Sequence, residues 1–324
     1  MNKPFLKQLG IDPMAFEEIG SNYAMFESSY LYVRDIADLG EEGGQQEDST
    51  LSRVNVWIIS DVEMGAMIPK VLTPEDLEYT YAMIVPDTEN PWEMMDQCEK
   101  WMQVLKEGIY QITPNLEFKM MNELRERIEN LFKTYEEPEL DSEGKLIVKK
   151  IKNKNFDDSR AGGDKLEDFD TSMMEDQEMI DNLKKEMDLP DGTLVTNLFI
   201  PVSVVISKVD LIEHGEREIK GTLEKNLDFI QYCLRKFCLS YGASLVFASA
   251  NSNSNIQLLY DYFLNRIYDS ELIHPSNISD KGALFVPTGF DSKELIESSE
   301  VTKFVEDYKF KNQIEPTFND IVQQ

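Results

Sequence analysis

Ile200-Pro-Val-Ser-Val-Val-Ile-Ser-Lys-Val-Asp210 is the stretch that decides the fold. Its first part, up to Ile206, is a near-continuous apolar run, which is typical of a strand buried on both faces of a parallel sheet. Its second part, from Ser207 to Asp210, is polar and follows that strand directly. Ligands of open parallel sheets bind beyond the carboxyl ends of the strands. The stretch therefore predicts an α/β fold, with a mostly parallel sheet flanked by helices and a ligand crevice beside Asp210.

Strand and helix patterns alternate on both sides of this stretch, as expected for a layered α/β domain. Other strands are predicted at Tyr23–Asp35, Arg53–Ser60, Tyr79–Val85 and Ser244–Ser249. The segment Ala283–Phe290 is interpreted as a final short strand or a docking segment. The run from Arg53 to Ser60 is interpreted as a buried strand. Helices are predicted where apolar residues recur at three- and four-residue steps, at Trp92–Leu105, Leu223–Phe237 and Ile256–Ile267.

The chain is strongly acidic, with 61 Asp and Glu against 32 Lys and Arg and a net charge of −29. Such a surface repels nucleic-acid phosphates and anionic lipids, so we expect neither as a direct partner. No apolar stretch approaches the ~20 residues of a membrane span, and no signal-peptide pattern opens the chain. The 3 cysteines and 2 histidines lack metal-ligand spacing, so no metal site is expected. A soluble cytoplasmic protein is the simplest interpretation.

The segment from about Glu136 to Asp191 differs from the rest of the chain. It is rich in charged residues and poor in large apolar ones. Sequences of this kind cannot bury enough apolar surface to offset the entropy of ordering the backbone. We therefore predict a mostly disordered or surface insertion between two strands of the sheet.

The tetrapeptide Ser207-Lys-Val-Asp210 is similar to the [Asn/Thr]-Lys-x-Asp motif with which GTPases read the base. The Asp210 carboxylate could accept two hydrogen bonds from a guanine edge, and the Lys208 stem could lie over the base while its ammonium stays in water. After the strand at Ser244, Ser249 and Ala250 resemble the Ser-Ala-Lys loop that backs the base, although Asn251 stands at the Lys position. A partial nucleotide-base site is predicted at Ser207, Lys208, Asp210, Ser249 and Ala250. An ordinary surface loop is the alternative.

Asp61 follows the strand predicted at Arg53–Ser60 and resembles the Asp of the Asp-x-x-Gly switch. That residue holds Mg²⁺ through water in GTPases. The fit is imperfect, because Asp61-Val-Glu-Met-Gly65 has one extra residue and Ala66 replaces a water-positioning Gln. A helix cap at the end of the strand is the alternative interpretation of Asp61.

The phosphate-binding loop Gly-x-x-x-x-Gly-Lys-[Ser/Thr] does not occur in this sequence, and Gly144-Lys-Leu146 fails at the last position. That loop supplies the N–H groups and the Lys that hold phosphates, so we predict neither catalytic residues nor an enzyme. A first strand and this loop would lie just upstream of Pro4–Leu9. We expect either a truncated gene product or a lineage that lost them. No cofactor is assigned, apart from a guanine or adenine nucleotide if an upstream loop exists.

Several segments resemble, in chain order, those of cytoplasmic dynein light intermediate chains. They are Val54–Asp61, Asp87–Trp92 with Lys100 and Trp101, Leu227–Gln231, Leu234–Ala243, Phe285–Asp291 and Phe318–Ile321. The matches run from about residue 23 to 322 and leave the charged insertion unmatched in detail. Because they are colinear, the chain is identified as a member of this family, in its cytoplasmic rather than its intraflagellar-transport branch.

The resemblance implies a Ras-like fold of the P-loop NTPase type that lacks the first strand and the P-loop. It implies an incomplete GTPase-like domain at residues 1–270 and a C-terminal docking segment at 271–324. The implied role is a non-catalytic subunit of the cytoplasmic dynein motor complex, docked on the heavy-chain tail beside other dynein subunits and supporting microtubule-based transport. A nucleotide-binding, small-GTPase-like regulatory protein outside dynein is the alternative.

The resemblance also bears on partners. Family members engage cargo adaptors through a C-terminal tail, and this sequence stops just after Ile321, so adaptor binding is not expected of these residues. Four aromatic residues are candidates for a docking surface: Trp92, Trp101, Phe285 and Phe290. Packing in the core is the favoured interpretation of each, because a Trp on an apolar helix face normally fills core.

Overall fold

A computed structural model describes residues 26–34, 50–139, 188–214 and 217–323 of the chain. Residues 140–187, which make up most of the insertion predicted at about 136–191, lie outside the described residues. The described residues form a mixed α/β fold in which helices flank a partly parallel sheet. The predicted fold class is confirmed at this level.

Strands β1 (Phe26–Arg34) and β2 (Thr50–Ile59) pair antiparallel and form a two-stranded sheet of their own. The interpretation of the second strand as fully buried is wrong. Its side chains alternate, with Arg53, Asn55 and Trp57 exposed and the residues between them turned inward. An antiparallel sheet that covers a core with one face produces this alternation.

A four-stranded sheet forms the centre of the molecule, in the spatial order in which its strands occur in the chain. The strands are β3 (Ala82–Ile84), β4 (Val202–Ile206), β5 (Ser244–Phe247) and β6 (Phe285–Val286). The first three are parallel, and β6 runs antiparallel to β5. Every residue of β4 and β5 is buried, which confirms both as the central strands that their apolar runs predicted.

The helices surround this sheet. They are α1 (Ile68–Val71), α2 (Met94–Ile112), α3 (Phe118–Lys133), α4 (Leu211–His214), α5 (Arg217–Tyr241), α6 (Ile256–Tyr268), α7 (Lys293–Glu297), α8 (Glu300–Asn312) and α9 (Phe318–Ile321). Pro91 opens a 3₁₀ turn that leads into α2, where its missing N–H costs no hydrogen bond. Gly242 has φ +67° directly after α5, and a side chain there would collide with Leu194 and Phe132, so glycine is required.

The side chains of β4 and β5 alternate between two helical layers. Val204, Ile206 and Leu245 face a core shared with α2, α3 and α5, whereas Val205 and Val246 pack against α6. Because apolar side chains leave both faces, the strand sequences are continuously apolar rather than alternating. The carboxyl ends of β3, β4 and β5 therefore emerge side by side between these layers.

The segment after β6 packs onto α5. Asp291 accepts a bidentate pair of hydrogen bonds from the Arg235 guanidinium, and both side chains are nearly buried. Further along, Phe318 stacks on Phe229 with a centroid distance of 6.5 Å. Among the four docking candidates, Phe285 is fully buried, and Trp92, Trp101 and Phe290 pack against the main core. The core interpretation of these aromatic residues is confirmed.

Candidate functional site

The loop after β4 is joined to the loop after β3. The N–H of Ser207 donates to the carbonyl of Pro86 at 2.8 Å, and the N–H of Thr88 donates to the carbonyl of Ser207 at 3.2 Å. The buried Thr88 hydroxyl also donates to the carbonyl of Lys208 at 2.6 Å. These bonds extend the parallel pairing beyond the strands, so the two loops form one layer at the carboxyl end of the sheet.

Lys208 adopts a left-handed conformation, with φ +60°. Its ammonium lies 2.8 Å from a carboxylate oxygen of Asp87 and 2.9 Å from one of Glu89. Burial alone would lower the pKa of this ammonium, but hydrogen bonds to the two carboxylates outweigh it and raise the pKa. The Lys208 charge is therefore directed to the β3 loop.

Asp210 is joined to the loop after β5. The buried Ser249 hydroxyl donates to Asp210 Oδ1 at 2.5 Å, and the Asn251 side-chain amide donates to Asp210 Oδ2 at 3.2 Å. The same Ser249 oxygen accepts the N–H groups of Asn251 and Ser252, at 3.1 and 3.2 Å. Ser249 thus orients the carboxylate and shapes the turn that brings Asn251 to it.

The predicted site residues are thereby brought together at the strand ends, with Ala250 beside Ser249 in the same loop. We define the strand-end cluster by its six side chains: Asp87, Glu89, Lys208, Asp210, Ser249 and Asn251. Sequence reasoning missed Asp87 and Glu89. The available signal was their position after a predicted strand, the same signal that indicated Asp210.

Asp61 follows β2 of the two-stranded sheet and is not part of the strand-end cluster. It precedes the 3₁₀ helix Val62–Met67, and its side chain accepts the N–H of Glu63 at 2.8 Å. This is the helix-cap geometry expected of an Asp at such a boundary. The Mg²⁺-proximal role of Asp61 stays a prediction.

A nucleotide, which the GTPase-like motif implies, does not fit the residues as they stand. The Lys208 ammonium is held by two carboxylates, and the Asn251 amide binds the carboxylate that would read a base. The sequence also lacks a phosphate-binding loop. Within the described ranges, no group of three or more His, Cys, Asp or Glu side chains could hold a metal ion. In that same part of the chain, no helix has the length and apolarity to cross a membrane.

The outer surface of the β1–β2 hairpin is a second candidate site. We define the hairpin face by six side chains: Phe26, Tyr30, Tyr32, Arg53, Asn55 and Trp57. Tyr30, Tyr32 and Trp57 are 51%, 56% and 41% exposed. The face has no carboxylate among its described side chains, although the chain carries a net charge of −29.

Ring contacts along one strand and between the two strands order this face. Trp57 stacks on Phe26 at a centroid distance of 5.4 Å, and Tyr30 meets Tyr32 edge-on at 5.3 Å. The Arg53 guanidinium lies 5.5 Å from the centroid of the Tyr30 ring. Contiguous exposed apolar surface of this kind marks interaction sites, and Tyr, Trp and Arg are the residues that dominate binding energy in interfaces.

Comparison with protein families places the chain among known proteins. The family model described as "Dynein light intermediate chain (DLIC)" matches residues 27–165 and 160–324. The chain belongs to the dynein light intermediate chain family. Relatives in this family include cytoplasmic dynein 1 light intermediate chain 1 of Homo sapiens, 30% identical over 254 residues, and that of Gallus gallus, 31% identical over 254 residues.

These matches cover most of this chain but less than half of each relative. Each covers 78% of this chain but 43% of the relative, so the chain spans less than half the length of these light intermediate chains. A solved structure, "Crystal Structure of the Dynein Light Intermediate Chain's Conserved Domain", is similar with a TM-score of 0.59 and 16% identity. That likeness covers 99% of this chain and 91% of the solved one, and it supports the fold.

Proposed function

We propose that this chain is a non-catalytic light intermediate chain subunit of a cytoplasmic dynein motor complex. The family match along both halves of the chain is the observation that carries the proposal. The subunit docks on the heavy-chain tail beside other dynein subunits and supports microtubule-based transport of cargo in the cytoplasm. The main domain at 1–270 and the docking segment at 271–324 belong to the same proposal.

The proposed fold is Ras-like with one strand lacking. Within the described residues, β2 pairs only with β1, and β3 pairs only with β4 along its length. Both sheets contact α6, because Phe263 packs with the hairpin and meets Tyr81, just before β3, at 5.6 Å. Met83 and Val85 are exposed at the β3 edge. The hairpin and β3 both lie beside α6 without pairing with each other, which supports a sheet from which an intervening strand is missing.

The hairpin face is the proposed docking surface for the heavy chain. Its aromatic rings are held by ring contacts and by β1–β2 pairing, so binding orders few additional rotamers. The chain as a whole is acidic, but the described side chains of this face include no carboxylate. Burying the face against a partner therefore requires no desolvation of a negative charge on it. Arg53 offers one cation to an acceptor on the partner.

Co-purification tests this proposal. The full chain is expected to retain the tail of the heavy chain, and the double variant Tyr30→Ala/Trp57→Ala is expected to lose most of it. Phe118→Ala is the matched control, because Phe118 is 74% exposed but lies on α3. Failure of the wild-type chain to retain the heavy chain contradicts the subunit assignment. Equal retention by the double variant and the wild type contradicts the choice of surface.

The second candidate is a nucleotide-binding, GTPase-like regulatory protein outside dynein. The hydrogen bond from Ser249 to Asp210 favours it, since it orients the carboxylate that would read a base. The absence of a P-loop motif from the sequence counts against turnover. We expect no GTP hydrolysis above the buffer rate, measured by phosphate release with and without Mg²⁺. Turnover that Asp210→Ala abolishes would establish the alternative instead.

A further inference from the structure

The strand-end cluster carries an inference that is independent of heavy-chain binding. The side chains that resemble a base-reading site are bound to other side chains of the same protein. Asp210 receives hydrogen bonds from Ser249 and Asn251, and Lys208 is paired with Asp87 and Glu89. The groups that would hold a ligand therefore hold the chain itself.

The contact between Asn251 and Asp210 has the chemistry of ligand recognition. A guanine edge would present N–H donors to the carboxylate, and the Asn251 side-chain amide is an N–H₂ donor of similar character. It reaches Asp210 Oδ2, while Ser249 holds Oδ1. Two backbone N–H groups on the Ser249 oxygen fix the turn, so the Asn251 amide is delivered at a defined position.

The Lys208 pairs connect the same region to the third strand end. A lysine stem that covered a base would need its ammonium free to extend into water. Here the ammonium is within 3 Å of both Asp87 and Glu89, and the Thr88 hydroxyl holds the Lys208 carbonyl from the same loop. Hydrogen bonds that involve a charged partner are stronger than neutral ones, which favours this closed arrangement.

We propose that the strand-end cluster is an in-chain lock, in which Asn251 takes the position of a base against Asp210. The lock joins the carboxyl ends of β3, β4 and β5 through side chains of the chain itself. Its two halves are the Asp210 contacts with the β5 loop and the Lys208 contacts with the β3 loop.

A double-mutant cycle on the full chain tests the first half of the lock. Asp210→Ala is expected to lower the thermal midpoint by about 3–5 °C and Asn251→Ala by about 1–3 °C. Both substitutions remove the same hydrogen bond between Asn251 and Asp210. The thermal midpoint of the double variant should therefore lie close to that of Asp210→Ala. Ser252→Ala is the control from the same exposed turn and should leave the midpoint within about 1 °C. Fully additive losses would overturn the contact between Asn251 and Asp210.

Nucleotide titration tests closure directly. The wild-type midpoint is expected to shift by less than about 1 °C in 1 mM GDP with Mg²⁺. A nucleotide bound at a hundredfold excess over its Kd would stabilise by ~2.7 kcal/mol, several degrees at this chain length. Any larger rise in wild type shows that the site opens for a ligand and overturns the lock. Retention of the heavy chain is a separate measurement on a different surface. The lock can therefore be disproved while the subunit proposal stands, and the reverse is also true.

A spectroscopic measurement covers the case in which Asp210→Ala does not fold. In the folded wild type, the side-chain amide protons of Asn251 should exchange with water more slowly than those of Asn253, two residues along the same turn. Slow exchange supports the lock. Equal exchange of the two amides would overturn it, because an amide held by a carboxylate is protected.

Discussion

The side chains of the strand-end cluster bind one another, whereas the large side chains of the hairpin face are exposed to solvent. At the strand ends, polar groups turn towards one another and form ion pairs and hydrogen bonds within the chain. On the hairpin, large aromatic rings are left exposed to solvent. A position suited to a ligand can thus become part of the scaffold, while an outer sheet face keeps its aromatic rings exposed.

The largest expected effect concerns the hairpin face. Arg53→Glu should raise the Kd for the heavy-chain tail about 30-fold, because a buried interfacial Arg contributes ~2 kcal/mol or more and the reversal adds an unpaired acid. Surface plasmon resonance with immobilised tail measures it. Arg53→Lys keeps the charge and should lose less. An unchanged Kd for Arg53→Glu would remove Arg53 from the docking surface and weaken the contrast between the two regions.

Ser249→Ala should have the next largest effect, on stability. It removes the oxygen that binds Asp210 and accepts two backbone N–H groups, so the free energy of unfolding should fall by ~1–3 kcal/mol. Urea denaturation followed by circular dichroism measures this loss. The Kd for the heavy-chain tail should stay within twofold of wild type. A parallel loss of affinity in the folded variant would place the strand-end cluster in the docking surface as well.

Lys208→Met should have the smallest effect, and one that depends on pH. The pairs with Asp87 and Glu89 raise the Lys208 pKa, so their stabilisation is present below the unfolded pKa of ~10.4. It is lost as pH rises through the raised pKa of the folded state. We expect a midpoint about 1–3 °C below wild type between pH 7 and 9, and a smaller difference above pH ~10.5. Scanning calorimetry across pH measures it, and a constant difference up to pH 11 contradicts the ion pairs.

Much of the fold was predictable from local pattern. The apolar runs at Ile200–Ile206 and Ser244–Ser249 predicted the central strands, and three- and four-residue apolar steps predicted α2, α5 and α6. The family resemblance was confirmed by the family model. The buried interpretation of the run at Arg53 failed, because Asn55 and Trp57 face outward when β2 pairs antiparallel with β1.

The candidate site was predictable only in part. The strand-end rule indicated Lys208, Asp210 and Ser249, and the structure places their loops side by side. It could not indicate that Lys208 turns to Asp87 and Glu89, more than a hundred residues earlier. Asn251 was visible in the sequence as a departure from the Ser-Ala-Lys pattern, but nothing local reveals that its amide reaches Asp210.

Sequence alone therefore established the α/β class, the central strands, the family and the residues that follow each strand. These properties depend on hydrophobic periodicity and on neighbours along the chain, which act within a few residues. Tertiary structure decided which charges pair at the strand ends and which aromatic rings stay exposed. The charge pairs depend on parallel strands that bring distant loops to one edge of the sheet. The exposure of the rings depends on which face of the β1–β2 sheet is covered by a helix.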